Sequence, residues 1–360
     1  MSAPQKKGVH FVTATELAPG SSRSIEQILA DTQGLVDPAL RSAARTLPDE
    51  MRTVMSYHFG WCDESGVATT TGGGKMIRAA ATLLAGNAAG GANDKTVSAA
   101  VAMELVHNFS LMHDDVIDRD EFRRHRPTVW AVFGIPAAIL VGDALLGLAY
   151  EVLNDAEMTA NSYEAVRYLS QAVERMIFGQ DADVRLESQT SAVKLRECVA
   201  MARAKTGALL GGACALGALS AGADGALVQQ MRVFGEELGL AFQLVDDVLG
   251  IWGDPTRTGK PARSDLQSRK KSLPVVFAMN SGTRAAEELM TLYQIRRELS
   301  DVELNRAARL VDAAGGKEWA VSEAERLVQE ALASLAGWNL NPAAVAELSA
   351  LAARVCNRSS

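Results

Sequence analysis

Eleven consecutive residues, 209–219 (LLGGACALGAL), carry no charge and no side chain larger than leucine. A helix that is apolar all round has no face to give to water, so it is stable only when other helices surround it. The rest of the chain supplies them. Apolar residues recur at helical spacing from about Ile25 to the end, interrupted at residues 65–74, 86–94, 124–127, 222–225, 253–261, 315–316 and 339–342. Aromatic residues make up only 5% of a chain that is 48% hydrophobic, and no strand-helix alternation or repeat is visible. The expected fold is all-α, one large helical bundle over residues 25–360, with residues 1–24 a flexible arm rich in Pro, Gly and Ser.

A formal charge of −7 argues against a nucleic-acid surface. The four cysteines (Cys62, Cys198, Cys214, Cys356) are scattered without a C-x-x-C, so neither a disulfide framework nor a zinc site is expected, and they read as reduced cytoplasmic thiols. Residues 1–9 are polar with no apolar stretch after them, and no run of about 18 uninterrupted apolar residues occurs. Neither a signal peptide nor a transmembrane segment is expected.

Two adjacent aspartate pairs stand about 130 residues apart within largely apolar stretches. Adjacent carboxylates repel each other and lose hydration in such a setting, and a hard divalent cation is the usual remedy. In the first cluster, Asp114 and Asp118 share a helix face and Asp115 lies about 100° around it. Arg123 and Arg124 follow at once. Carboxylates for metal beside arginines for phosphate oxygens suit a diphosphate–Mg²⁺ complex. In the second cluster, Asp246-Asp247, the i+4 position is Gly250 rather than a carboxylate. Asp254 comes one turn further on, between Gly253 and Pro255, which interrupt a regular helix. Gly259-Lys260 resembles the end of a phosphate-binding P-loop. The spacing from Gly253 is one residue too long and proline replaces Ser/Thr, so that reading is rejected.

In order along the chain come Gly73-Gly74-Lys75-x-x-Arg78, Glu104-Leu105-Val106-His107 and Asp114-Asp115-x-x-Asp118 with Arg123-Arg124. Gly142-Asp143, Gly179-Gln180-x-x-Asp183, Lys205-Thr206-Gly207 and Phe242-Gln243-x-x-Asp246-Asp247 follow, then Thr258-Gly259-Lys260-Pro261 with Ser264-Asp265-Leu266, and Lys270-Lys271-Ser272-Leu273-Pro274. The series resembles the trans-isoprenyl diphosphate synthases, the polyprenyl synthetase family. The resemblance implies a bundle of the isoprenoid synthase type enclosing a central cavity, and a homodimer. It also implies a Mg²⁺-dependent head-to-tail condensation of isopentenyl diphosphate with an allylic diphosphate (dimethylallyl, geranyl or farnesyl). Its implied residue roles are these. Asp114, Asp118 and Asp246 ligate three Mg²⁺ ions, with Asp115 and Asp247 in support; Arg123, Lys205 and Lys260 neutralise the allylic diphosphate; Lys75, Arg78, His107 and Arg124 hold the isopentenyl diphosphate; and Lys205, Thr206 and Gln243 face the developing allylic cation.

Three positions depart from the family pattern. Met76 stands where arginine is common, His125 replaces the glycine usual after the arginine pair, and Gly250 leaves the second metal site expected to be weak. Asp143 and Asp183 read equally as buried structural residues, and His113 and His125 as bystanders. Chain growth is expected to run from Asp114 back along its own helix, so Ser110 and Phe109 form the floor. One small and one aromatic residue there resemble enzymes that stop at the twenty-carbon geranylgeranyl diphosphate, the alternatives being the fifteen-carbon farnesyl product or a longer polyprenyl diphosphate. A terpene cyclase would share the bundle but would have no use for Lys75, Arg78 and Arg124. A non-catalytic partner subunit would commonly lose an aspartate cluster outright.

Overall fold

The computed structural model describes residues 23–69, 74–155, 162–189, 193–254 and 263–356. Two amino-terminal helices, α1 (Ile25–Ala44) and α2 (Asp49–His58), precede the long pair α3 (Ile77–Ala89) and α4 (Asp94–Ile117). A two-stranded hairpin, β1 (Phe122–Arg123) and β2 (Arg126–Pro127), leads into α5 (Val129–Phe133), α6 (Ile135–Asp155) and α7 (Ser162–Ser188). Then come α8 (Leu195–Ala202), a π-turn (Arg203–Gly207), α9 (Ala208–Ser220) and α10 (Gly225–Trp252). The remainder is α11 (Ser264–Gln267), α12 (Leu273–Met279), α13 (Arg284–Tyr293), α14 (Asp301–Ala313), α15 (Gly316–Ala333) and α16 (Pro342–Cys356).

The expected all-α bundle is what forms. Helix α9 is its axis: every residue of it is buried, and α10, α3, α7 and α4 pack around it. Small residues set how closely they approach. A Cβ on Gly239 of α10 would lie 2.6 Å from Gly207 Cα, so these backbones meet directly and gain dispersion contacts that larger side chains would prevent.

Helix starts follow local chemistry. Ser24 and Gln27 form a capping box at α1, and Asn93 with Thr96 does the same at α4. The expected interruptions match loops before α3, at the hairpin, before α10, before α15 and before α16; α3 runs on to Ala89, so the break before α4 is shorter than expected, and most of the one after α10 lies outside the described residues. A second, smaller hydrophobic cluster (Ile251, Leu266, Val275, Leu289, Val311) ties the end of α10 to α11–α14. Helix α6 is long and apolar enough by length and composition to cross a membrane, with mean hydropathy 1.6 over its best window, and it packs along α4. Only 33% of that window is buried within the chain, and Ile135 and Leu140 face outward.

Candidate active site

A cavity of about 1190 Å³ opens between α3, α4, α7, the π-turn and α10. One part of its wall is apolar, with Leu146, Met176, Leu209 and Phe242; another gathers the charges named from the sequence. Lys75, Arg78, His107, Asp114, Asp118, Arg123, Arg124, Lys205, Thr206, Gln243, Asp246 and Asp247 all line it, as do Phe109 and Ser110. Asp115 does not. Lys260 lies outside the described residues.

Each aspartate pair is divided between two surroundings. Asp114 lines the cavity on the last turn of α4 and Asp118 caps that helix, its backbone N–H donating to Asp114 O at 2.8 Å. Burial pushes the Asp114 carboxyl up to about 6, against the pull of Lys205. Asp118 is likewise raised, chiefly by burial. Asp115 is 2% exposed and turned toward the hairpin, where its Oδ1 accepts from Arg123 Nε at 2.7 Å. On α10, Asp246 is exposed at the cavity while Asp247 is 2% exposed. Asp247 accepts from Gln243 Nε2 at 2.8 Å and from the Leu273 backbone N–H at 2.9 Å, with Lys270 Nζ 3.5 Å away. Burial still lifts its carboxyl to about 6. The family resemblance gave the two second aspartates a supporting part at the metal; in the structure they hold cations and amides in place.

The hairpin aims the arginines. Its two-residue turn puts Arg124 (φ 52°) and His125 (φ 62°) in the left-handed region, the conformation a tight two-residue hairpin demands. The family glycine is therefore replaced without loss of the turn. Arg126 anchors the hairpin to α2, donating to Tyr57 O and Cys62 O and stacking on the Tyr57 ring at 4.4 Å.

Lys205 owes its position to the π-turn. Ala208 N–H reaches back five residues to Arg203 O, so the helix bulges by one residue and thrusts Lys205 and Thr206 into the cavity. The bulge fits against α7 only because residue 179 is glycine. A Cβ there would lie 2.6 Å from Lys205 Cα and 2.7 Å from the Ala204 carbonyl carbon. Lys205 Nζ donates to Asp183 at 2.6 Å. Burial works to lower the Lys205 pKa, but Asp183 and Asp114 outweigh it and the net direction is upward, so the ammonium stays charged. Thr206 Oγ1 donates to Gln243 Oε1 at 2.6 Å, leaving lone pairs on both oxygens.

Several contributors had no assigned role in the sequence. Lys270 lines the cavity and its pKa is raised well above the usual range: burial lowers it, but Asp247, Asp265, Asp183 and Asp246 prevail. Glu104 sits beneath Arg78 and accepts from the Ala79 N–H at 3.2 Å. Both amide atoms of Gln180 are buried on the cavity wall with no hydrogen-bond partner among the described residues, and the same holds for His107 Nδ1. Burial, with Arg78 and Arg124 nearby, holds His107 well below the usual imidazole range, so it is neutral. His113, read as a bystander, approaches Ile139 O at 3.1 Å and stacks edge-on against Phe109 at 4.7 Å. Of the two residues read as equally structural or functional, Asp183 is the partner of Lys205.

Asp114, Asp118 and Asp246 offer only carboxylate oxygens to the cavity, a donor set that fits Mg²⁺ or Ca²⁺ rather than a soft metal. Among the described residues no three acidic, histidine or cysteine side chains converge on one point that would hold an ion unaided. A cation here therefore needs oxygens from a bound anion as well, as Mg²⁺ sites built with phosphates do. The orphaned Gln180 amide and His107 imidazole, beside Lys75, Arg124 and Lys205, supply the polar and cationic groups such an anion requires.

Comparison with known proteins agrees with this geometry. The sequence profile of a family described as polyprenyl synthetase matches residues 60–311. The (2E,6E)-farnesyl diphosphate synthase of Mycobacterium tuberculosis is 44% identical over 334 residues, 92% of each chain. The geranylgeranyl diphosphate synthase of the same organism is 42% identical over 323 residues, covering 89% of this chain and 90% of its own. The crystal structure of a polyprenyl synthetase from Streptomyces coelicolor superposes with a TM-score of 0.88 at 43% identity, covering 92% of this chain and 99% of that one. The fold, the cavity and the motifs thus place this chain in the polyprenyl synthetase family, as a prenyltransferase that elongates prenyl chains.

Proposed function

We propose that the protein condenses isopentenyl diphosphate head-to-tail with dimethylallyl, geranyl and farnesyl diphosphates in a Mg²⁺-dependent reaction, with geranylgeranyl diphosphate as the main product. What carries this reading is the cavity itself, where two acidic clusters, a ring of cations and an apolar wall meet. Asp114, Asp118 and Asp246 would hold Mg²⁺ together with the allylic diphosphate, and the metal would supply charge neutralisation at the leaving group. Arg123 and Lys205 share that task, and Lys260 is assigned to it by family motif alone. Lys75, Arg78 and Arg124 hold the isopentenyl diphosphate, with neutral His107 as a hydrogen-bonding partner. Asp115 and Asp247 act at one remove, fixing Arg123 and the Gln243–Lys270 pair.

Ionisation of the allylic C–O bond leaves a carbocation that water would capture, and the apolar wall excludes it. The oxygens of Thr206 and Gln243, already oriented by their mutual hydrogen bond, face the positive charge without reorganising. The double bond of isopentenyl diphosphate attacks the cation, and the departed diphosphate takes the proton lost in forming the new double bond.

Chain length follows from the floor. Phe109 is 6% exposed and braced by His113, whereas Ser110, which also lines the cavity, turns its small side chain back to His107 O at 2.8 Å. Growth past fifteen carbons is open, and the ring closes the path at twenty. The outward apolar face of α6 is the surface we assign to a homodimer.

The test is purified protein with Mg²⁺, labelled isopentenyl diphosphate and five-, ten- or fifteen-carbon primers in separate reactions, with products dephosphorylated and sized. A twenty-carbon alcohol is expected. A fifteen-carbon alcohol as the main product overturns the floor assignment alone, and no incorporation by folded protein overturns the condensation reading.

A further inference from the structure

The second acidic cluster lacks a carboxylate on α10 at the position one turn after Asp246, where the chain has Gly250. That space is filled from elsewhere. A Cβ built on Gly250 would fall within 2.6 Å of all three carboxylate atoms of Asp265, Oδ1 being the farthest. Separations this short lie well inside van der Waals contact, so a Cβ at position 250 and this carboxylate cannot coexist. The Asp265 carboxylate is thus seated against the bare backbone of α10, one turn after Asp246.

The local fold delivers it there. Helix α10 ends at Trp252, and the described chain resumes at Arg263, whose φ of 62° turns it into α11. Leu266, fully buried, packs with Ile251 in the second hydrophobic cluster and pins α11 against the end of α10. Asp265 O accepts from the Lys270 N–H at 2.8 Å, tying the same turn to the lysine that lines the cavity. The Asp265 charge acts on Lys270, as do those of Asp247 and Asp246.

We propose that Asp265 is the missing carboxylate of the second acidic cluster: carried by α11 instead of α10, it would work with Asp246 to hold a divalent cation that enters with the diphosphate. The proposal rests on the condensation reading above and deepens it. Glycine at 250 is then a requirement, since any Cβ would collide with the carboxylate that replaces its own. The weak second metal site expected from Gly250 is restored from a residue fifteen positions later.

Mn²⁺ binding, followed by the paramagnetic resonance signal of the free ion with and without inorganic diphosphate, tests this without turnover. Asp265→Asn is expected to keep the wild-type melting temperature in the absence of metal and to weaken diphosphate-dependent Mn²⁺ binding about tenfold or more. Gly250→Asp alone forces a Cβ against the Asp265 carboxylate and weakens it too. The exchange Gly250→Asp with Asp265→Gly returns a carboxylate to α10 and is expected to bind more tightly than Asp265→Gly alone. Wild-type affinity in Asp265→Asn overturns the proposal, and so does an exchange variant no better than Asp265→Gly. If Asp265→Asn is unstable, the exchange variant decides. Wild-type protein that fails to bind Mn²⁺ with diphosphate overturns the metal reading itself, and this inference with it.

Discussion

Replacing Gly179 by alanine adds one methyl group to α7 where it crosses the π-turn. The added carbon would stand 2.6 Å from Lys205 Cα and 2.7 Å from the Ala204 carbonyl carbon, both backbone atoms with no rotamer to escape into. Carbon atoms settle at about 3.5–4.0 Å, so the π-turn must retreat by about 1 Å. That shift carries Lys205 and Thr206, and with them the 2.6 Å contacts to Asp183 and Gln243. Overpacking costs about 1–3 kcal/mol, partly offset by the gain of about 1 kcal/mol for alanine over glycine in a helix. A displacement of 1 Å at reacting groups costs about a hundredfold in rate. The variant should therefore fold with modestly reduced stability in urea and condense about a hundred times more slowly. Gly34→Ala is the control: that position lies inside α1 with nothing within 4 Å, so it should gain up to about 1 kcal/mol and keep full activity. Wild-type kcat in Gly179→Ala would refute the argument that α7 sets the position of Lys205.

Phe109→Ala removes the floor ring and should shift products past twenty carbons, at about 3 kcal/mol in stability for a side chain 6% exposed; an unchanged product distribution rules the floor out. Asp115→Ala strands Arg123, which is 27% exposed, and should cost about 2–3 kcal/mol in metal-free urea unfolding. Unaltered metal-free stability with lost Mg²⁺ dependence would make Asp115 a ligand instead. His58, hydrogen-bonded to Asn108 at 3.1 Å, is held down to about 3 by burial and by Arg124 and Arg123. Its folded value lies below the unfolded one, so the unfolded chain takes up the proton first and stability is lost as pH falls through 6.5. His58→Gln should flatten that loss by about 1 kcal/mol between pH 6.5 and 5.5, and parallel profiles would show that His58 is not buried neutral.

Much of this was legible in the sequence, for physical reasons that differ by element. The all-round apolar character of residues 209–219 admitted a single solution, an interior helix, and α9 is buried at every residue. Glycine, proline and asparagine mark most helix ends because they act through local backbone preference. The π-turn at Arg203–Gly207 has no such local signature; it arises from the fit of α7 and α10 against Gly179 and Gly207, a tertiary effect. The contact between Gly250 and Asp265 was hidden for the same cause. Fifteen residues separate them, and only the burial of Leu266 against Ile251 brings the two together.

The aspartate pairs show what spacing leaves open. Two neighbours on a helix point about 100° apart, so a pair cannot serve one ion from one face. The surrounding fold decides which member turns inward: at Asp115 the hairpin brings Arg123, and at Asp247 the turn before α12 brings Lys270 and the Leu273 N–H. Burying these second members is costly, as the upward push on both carboxyls records. The cost is met by partners that are themselves placed as a result. Arg123 is aimed into the cavity because Asp115 holds it, and Gln243 meets Thr206 because Asp247 takes its amide. The first members, Asp114 and Asp246, are thereby left to the cavity. Substitution of a second member should thus register first in stability and in the positions of cations, and substitution of a first member in metal affinity with the fold intact.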